Sequence, residues 1–403
     1  MDGRPRDHLK QVLVLGGGLA GANAALELRG LGFDGRVTVV GAEAHRPYQR
    51  PPLSKTFLRG TAGFEELLVA TQEDYDRAGV ELLLGRRAAA LDAERRRIRL
   101  EGGEELAYDR LIVATGGRKR RLPFAGAGLT GVFDLRSVED SERIREAART
   151  GRRAAVIGLG FIGCEVAASL RMLGLEVVAI DPGPAPLARV LGPEVGAAIA
   201  RLHRREGVEL LLGDGVERLE GREQLERLVT KSGRRLECEL VVAGIGIEPD
   251  VDLLAAAGAR ISNGVEVDER CRTSLPAVFA AGDIADHLHP LFGRIRVEHY
   301  NNAEKQGRAA AAAALDMDTA YDYVHTFWSD QFDQSLEYVG HAAAWDRIAI
   351  DGSLEGLDFI ARYYREGRLL AAAAIGRGGD PESEEPGELK EIASEIRDVL
   401  AKG

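Results

Sequence analysis

"QVLVLGGGLAGANAALELRGLG", residues 11–32, decides the fold. A short apolar run leads into clustered glycines, and the residues after them place Ala and Leu on one helical face. "RVTVVG", residues 36–41, then reads as a second strand. The whole is a β-α-β unit of about thirty residues, the context a dinucleotide fingerprint requires. In the pattern Gly16-x-Gly18-x-x-Gly21, the glycines allow a tight turn, close approach of a pyrophosphate, and close packing of helix on strand. The helix start supplies unpaired N–H groups and a positive partial charge. Taken alone, the same glycines also describe a turn that merely joins a strand to a helix.

The pattern returns. "RRAAVIGLGFIGCEVAASLRMLGLEVVAIDPG", residues 152–183, again reads strand, glycine turn, helix, strand, with Gly158, Gly160 and Gly163 in register. Two such units in one chain imply two dinucleotide sites. "LIVATGG" (111–117) and "LVVAGIG" (240–246) are paired echoes, each a strand ending in a glycine turn. "PAVFAAGDIAD" (276–286) is a further buried strand ending in Gly-Asp, so the first nucleotide domain is split and the second is inserted into it. From about residue 320 the texture changes to antiparallel strands, including "DFIARYYREGRLLAAAAIG" with Glu366-Gly367 as its turn. An acidic linker, "GGDPESEEPGE", precedes a last amphipathic helix with Leu389, Ile392, Ile396 and Val399 on one face. The expected fold class is α/β, with two Rossmann-like dinucleotide-binding domains and a small α+β C-terminal domain. The expected boundaries are 1–117 and 246–319, 118–245, and 320–403.

Bulk composition bounds the function. A chain of 403 residues is long enough for two or three domains. The net charge of −11 argues against nonspecific nucleic-acid binding, which needs a basic footprint. The opening MDGRPRDHLK is polar, and apolar runs such as "AAAAAL" fall well short of a membrane span, so a cytoplasmic protein with no membrane association is expected. Cys164, Cys238 and Cys271 form no CxxC pair, so no metal site, disulfide framework or iron–sulfur cluster is expected within this chain.

Four acidic or basic positions carry most of the chemistry. After the second fingerprint, "VVAID" puts Asp181 at the strand end, where its carboxylate accepts ribose hydroxyls and repels a 2′-phosphate, favouring NADH over NADPH; a plain cap is the alternative reading. After the first, "VTVVGAE" offers Glu43 as the only local acid, one position later than the pattern asks. Asp283 ends a buried strand before an expected helix, placed either to accept a polyol hydroxyl or to cap that helix, and both can hold. Lys55 closes "RPYQRPPLSK", residues 46–55, a stretch that in many flavin disulfide reductases holds two redox cysteines and here holds none.

These residues, with "RPPLSK", "LARVLGPEVG", "TSLPAVFAAGDIA", "HPLFGRIRVEHYNNA" and "FWSDQF", resemble the FAD-dependent NADH:ferredoxin and rubredoxin reductases. Those are the reductase components of Rieske dioxygenase and cytochrome P450 systems within the pyridine nucleotide-disulfide oxidoreductase superfamily, and the resemblance spans essentially the whole chain. It implies FAD at Gly16, Gly18, Leu19, Ala20 and Gly21, with Glu43, Arg50, Lys55, Ala88, Ala114, Thr115, Gly116, Arg136, Asp283 and Tyr300 completing the pocket. It implies NADH at Gly158, Gly160, Phe161, Ile162, Gly163, Asp181 and Gly246. It further implies that Glu165 faces the nicotinamide and pairs with Lys55, and that Trp328 lies against the flavin. Without the resemblance these three read as a solvent-facing helix residue, an exposed lysine and a core aromatic. Hydride then passes from NADH to flavin, and electrons leave singly to a [2Fe–2S] ferredoxin serving an oxygenase, from a monomer or homodimer. The alternatives are a rubredoxin reductase, an NADH oxidase, and a signalling flavoprotein resembling apoptosis-inducing factor. Arg118, Lys119, Arg120, Arg121 and Arg308 are the candidate basic groups for an acidic partner.

Overall fold

The computed structural model describes residues 9–385 and 387–401. They form two contact-dense units: residues 9–49, 67–118 and 248–325 make one, and residues 50–66, 119–247, 326–385 and 387–401 the other.

In the first unit, five parallel strands run in the order Val278–Ala280, Arg110–Val113, Gln11–Leu15, Arg36–Val40, Val80–Leu83. The fingerprint strand Gln11–Leu15 is central and almost wholly buried, which is why it reads as a continuous apolar run rather than an alternation. The helix Leu19–Gly30 follows it and packs along the helix Tyr300–Ala314. Gly307 makes that approach possible, since a Cβ there would lie 2.3 Å from the Ala20 carbonyl oxygen. A three-stranded antiparallel sheet, Ala88–Asp92, Arg97–Leu100 and Glu105–Ala107, completes the nucleotide fold with a second small sheet built on Ala285–His289.

The second unit repeats this plan. Five parallel strands run Val208–Leu212, Glu176–Asp181, Arg153–Ile157, Leu240–Ala243, Val132–Asp134, and again the fingerprint strand is central. An antiparallel three-stranded sheet follows, Val216–Gly221, Leu225–Thr230 and Arg235–Glu237. The duplication seen in the glycines therefore extends to the accessory sheets.

Residues 326–401 add a five-stranded antiparallel sheet, ordered Thr326–Gln331, Gln334–Gly340, Arg368–Ile375, Asp358–Arg365, Arg347–Ser353. The closing helix Glu388–Ala401 lays Leu389, Ile392 and Ile396 against it, all buried. This sheet shares one hydrophobic core with the second nucleotide fold: Phe327, Tyr338, Phe359 and Tyr363 cluster with Leu170, Leu191 and Ile199. Within "LARVLGPEVG", Gly192 takes φ 81° and breaks the helix Ala188–Arg205; a Cβ there would meet Ile348 of the sheet and Trp345 in the loop before that strand. Among the described residues no helix is long and apolar enough to cross a membrane.

Candidate active site

Each fingerprint forms a cradle of the same design. Gly16 has φ 121°, and a Cβ on it would sit 2.2 Å from the Ala114 carbonyl oxygen. Gly21 packs on Gly16 so closely that its Cβ would fall 2.0 Å from the Gly16 carbonyl oxygen. Around Gly18 there is open space, with nothing within 4 Å. In the second copy Gly158 faces the Gly244 carbonyl, Gly163 packs on the Gly158 carbonyl, and Gly160 is open. Neither following helix has a side-chain cap at its start or an acid in its first turn. Free N–H groups beside an open glycine suit a pyrophosphate. The residues present therefore fit a dinucleotide at each turn.

Around the first cradle, Ala114, Thr115 and Gly116 turn off the neighbouring strand, with Gly116 at φ 69°. Leu19 and Ala20 open the fingerprint helix, Ala88 opens the first strand of the small sheet, and Tyr300 is the first residue of its helix. The Tyr48 hydroxyl donates to Glu43 Oε2 at 2.5 Å, which fixes the loop after the second strand. Asp283 lies in a single 3-10 turn, Gly282–Ile284, and a strand follows it instead of the expected helix. The cause is pairing: Ala285–His289 is sandwiched between Val265–Val267 and Gly293–Ile295, and that ladder captures the backbone. The capping alternative for Asp283 falls with the helix.

Around the second cradle, Phe161 packs edge-on against Phe327 with centroids 4.7 Å apart, while Ile162 stays exposed. Asp181 is at the strand end, as its spacing predicts. Its Oδ2 accepts the Leu159 N–H at 2.7 Å and its Oδ1 accepts the Gly183 N–H at 2.7 Å. The carboxylate thus ties the fingerprint turn to the loop beyond it. Gly246 sits at φ 87°, in the turn after Leu240–Ala243.

The second unit also holds the residues of "RPPLSK". Pro51 and Pro52 open a 3-10 turn with their φ angles already set for it. Two helices of the same unit hold that turn down. The Ser141 hydroxyl donates to the Leu53 carbonyl at 2.8 Å, and the Ser169 hydroxyl donates to the Ser54 carbonyl at 2.7 Å. Ser169 belongs to the second fingerprint helix, Phe161–Met172, and so does Glu165. Lys55 stands where this turn meets the short helix Thr56–Arg59, and its side chain is carried to Glu165. Arg50 donates to the Arg136 carbonyl, and the Arg136 N–H donates to Asp140 at 2.9 Å, so these two arginines share one corner of the unit.

At the centre of this arrangement Lys55 Nζ is 3.8 Å from Glu165 Oε1 and 2.8 Å from Asp330 Oδ2. It also lies 5.4 Å from the centroid of the Trp328 ring. Lys55 is 7% exposed and Glu165 4%, which excludes the exposed readings of both. Trp328 is partly exposed rather than a core aromatic. Glu165 is held by hydroxyls: Ser54 donates to Oε2, and Ser329 donates to Oε1 at 2.8 Å. Burial pushes the Glu165 carboxyl above the usual glutamate value, and the Lys55 charge with the two hydroxyls pulls it part of the way back. A buried chain supports Ser329. Gln331 Nε2 lies 3.3 Å from the Ser329 hydroxyl oxygen, and Gln331 Oε1 faces His203 Nε2 at 2.9 Å. With the Gln331 amide donating to Ser329, its oxygen must accept, so His203 carries its proton on Nε2. Every donor in the chain points toward the Glu165 carboxylate.

Ser54, Ser329, Asp330, Gln331 and His203 were not singled out in the sequence. Four of them lie inside or beside the quoted stretches, yet nothing local marks a serine that bonds a residue on another element. The cysteines take no part. Cys164 adjoins Glu165 but faces the core, with Sγ 3.6 Å from the Leu159 carbonyl oxygen. All three are buried, and burial raises each thiol, Cys238 to about 12. Of the candidate docking cations, Arg118 pairs with Glu248 and Asp252, Lys119 with Asp134 and Asp140, and Arg308 with Glu27 and Glu304, while Arg118 and Arg308 stay about half exposed and Arg120 and Arg121 are exposed. No group of three or more metal-ligating side chains occurs among the described residues.

A twofold dinucleotide fold with a buried acid–base pair and no accessible thiol defines a two-nucleotide oxidoreductase without a redox disulfide. The chain belongs to the pyridine nucleotide-disulphide oxidoreductase family, whose model matches residues 10–307, and residues 326–383 match the reductase C-terminal domain. It is 39% identical to the ferredoxin reductase subunit of 5,5′-dehydrodivanillate O-demethylase of Sphingobium sp., with 91% of this chain and 90% of that protein covered. It is 37% identical to a putidaredoxin reductase of Pseudomonas putida, covering 91% and 88%. With the ferredoxin–NAD(+) reductase component of the biphenyl dioxygenase system of Paraburkholderia xenovorans it shares 35% identity over 96% and 98%. Among solved structures, the covalent putidaredoxin reductase–putidaredoxin complex matches with a TM-score of 0.92 at 35% identity, over 97% of this chain and 93% of that one. The family uses FAD and NAD(H).

Proposed function

We propose that this chain is an FAD flavoprotein that oxidises NADH and passes the electrons singly to a small [2Fe–2S] ferredoxin serving an oxygenase. The observation that carries the reading is the Lys55–Glu165 pair, in a chain whose thiols are all buried. Electrons leaving the flavin have no cysteine relay to enter, so a direct external acceptor is required. The relatives that are ferredoxin reductases supply the class of acceptor.

In this reading residues 1–117 and 246–319 carry FAD, residues 118–245 carry NADH, and residues 320–403 complete the enzyme. Gly16, Gly18, Leu19, Ala20 and Gly21 admit the FAD pyrophosphate. Glu43, Ala88, Ala114, Thr115, Gly116, Asp283 and Tyr300 shape the rest of its pocket, with Arg50 and Arg136 adding positive charge. Gly158, Gly160, Phe161, Ile162, Gly163 and Gly246 form the NADH cradle, and Asp181 both braces that cradle and repels a 2′-phosphate.

Bound FAD supplies the redox chemistry, accepting two electrons and releasing them one at a time. The protein's own groups position and balance charge. Lys55 holds a fixed cation that offsets negative charge gained on reduction. Glu165, kept in place by Ser54 and Ser329, holds Lys55 inward. Trp328 shields the site from water. Anaerobic mixing of the FAD-loaded protein with NADH and an excess of plant-type or bacterial [2Fe–2S] ferredoxin tests the reading: the ferredoxin bleaches at a catalytic rate. Turnover with peroxide or a persulfide and none with any ferredoxin overturns it.

A further inference from the structure

Lys55 is bonded more closely to a residue outside the expected pair than to its expected partner. Asp330 Oδ2 is 2.8 Å from Nζ, against 3.8 Å for Glu165. The two acids differ in surroundings. The Glu165 side chain is 5% exposed, whereas that of Asp330 is 46% exposed and meets water. Asp330 is itself placed, since the Ser335 hydroxyl lies 3.0 Å from its Oδ1 across the tight turn that joins the edge strand to its neighbour.

A dry carboxylate is the easier of the two to neutralise, because burial penalises its charged form and solvent does not help it. A neutral Glu165 keeps its hydrogen bonds. The Ser54 hydroxyl is 3.3 Å from the Pro51 carbonyl oxygen, so it can donate there and accept a hydrogen bond from the protonated acid in place of donating to it. What a neutral Glu165 loses is the charge that attracts the ammonium. The groups facing Lys55 are then Asp330, the Trp328 ring and, farther away, Glu337, a half-buried acid that also bonds Ser335 at 2.9 Å. Facing Glu165 are Lys55, Ser54, Ser329 and Asp330, with the buried Cys164 thiol adjoining it on the core side. Of these, Asp330 alone is a carboxylate within bonding distance of Nζ and open to water.

We propose that Asp330 is a positioning residue that anchors Lys55 independently of Glu165, so that the ammonium stays in place whether or not Glu165 carries a proton. Two anchors let the inner acid change charge while the cation stays still. This rests on the proposed role of Lys55 only for its catalytic consequence; the anchoring itself is a property of the chain.

The test compares the native FAD-loaded protein with Asp330→Asn and with Asp330→Glu as the conservative rescue. Lys55 accessibility is read by brief reductive methylation and peptide mass spectrometry, and the ratio of variant to native labelling cancels the ordinary pH dependence of amines. With Asp330→Asn the ratio rises about tenfold at an acid pH low enough to protonate Glu165, whose carboxyl is raised by burial, and stays near one at an alkaline pH, where a charged Glu165 holds Lys55 alone. Asp330→Glu keeps it near one throughout. In parallel, NADH-driven bleaching of the flavin in Asp330→Asn gains an acid limb that the native protein lacks. A ratio near one at both pH values, or one raised equally at both, overturns the anchoring. A pH-dependent ratio with an unchanged bleaching profile supports the anchoring and overturns the proposed role of Lys55 in the reaction.

Discussion

The Ser329 hydroxyl donates to Glu165 Oε1 across 2.8 Å, joining residues 164 positions apart in the chain. One comes from a strand of the C-terminal sheet, the other from the second fingerprint helix. A buried acid is thereby satisfied by elements that share a core, and the Lys55 ammonium is balanced against it.

Removing Lys55 should strand that acid. Lys55→Met is expected to cost about 3 kcal/mol by chemical denaturation at neutral pH, because losing one partner of a buried pair leaves the other charge uncompensated. The sign with pH follows from the raised Glu165 carboxyl. Below its folded-state pKa the acid is neutral and the cost shrinks; as pH rises through that value the cost reaches its full size. A cost independent of pH contradicts a charged Glu165.

His287 gives a second pH dependence, in the first unit. Burial and then the neighbouring His289 hold it down at about 4, against an ordinary value of 6.5. The unfolded chain therefore takes the proton first as pH falls. Stability is complete above the ordinary value and is lost progressively from there down to about 4, by roughly 3 kcal/mol for a single such group. Melting curves at neutral and mildly acidic pH should show a smaller acid loss in His287→Phe than in the native protein. Equal losses in both remove His287 from the account.

The thiols should be silent. With all three cysteines buried and their thiols raised, Ellman's reagent should find none in the native protein and all of them in denaturant. Replacing Cys238 and Cys271 by Ala should leave NADH-to-ferricyanide turnover within about twofold, since neither carries electrons. A loss of flavin reduction in a folded variant overturns the direct-transfer route.

Asp181 should behave as a brace as well as a filter. Because it accepts from Leu159 and Gly183 N–H groups, Asp181→Ala should unsettle the cradle, raising the KM for NADH about tenfold while narrowing a native preference for NADH over NADPH of about a hundredfold. Steady-state kinetics with both coenzymes decide it. Equal native efficiency with the two removes Asp181 as the discriminator.

The fold was largely legible because its signals are local. Glycines need particular backbone angles or close approaches, as at Gly16 and Gly163, and these leave a fixed spacing in the chain. Continuous apolar strands and the face formed by Leu389, Ile392 and Ile396 are equally local. The Asp283 helix failed because strand pairing with distant segments outweighed local preference. The site was legible only through its ends. Lys55, Glu165 and Trp328 stood out by resemblance, while Ser54, Ser329, Gln331, His203 and Asp330 gained meaning only when the second unit brought a 3-10 turn, two helices and an edge strand together. The run Arg118–Arg121 illustrates the converse, since half of it, Arg118 and Lys119, is paired with neighbouring acids that no local pattern announces, while Arg120 and Arg121 are exposed.

Single-electron delivery to ferredoxin is the central claim, and anaerobic stopped-flow tests it most directly. The FAD-loaded protein is mixed with NADH and excess [2Fe–2S] ferredoxin, following flavin and iron–sulfur absorbance together. The account predicts rapid flavin bleaching followed by catalytic reduction of ferredoxin, with two equivalents reduced for each NADH consumed. Flavin that bleaches with NADH and then reacts only with oxygen, peroxide or a persulfide, leaving every ferredoxin oxidised, contradicts it.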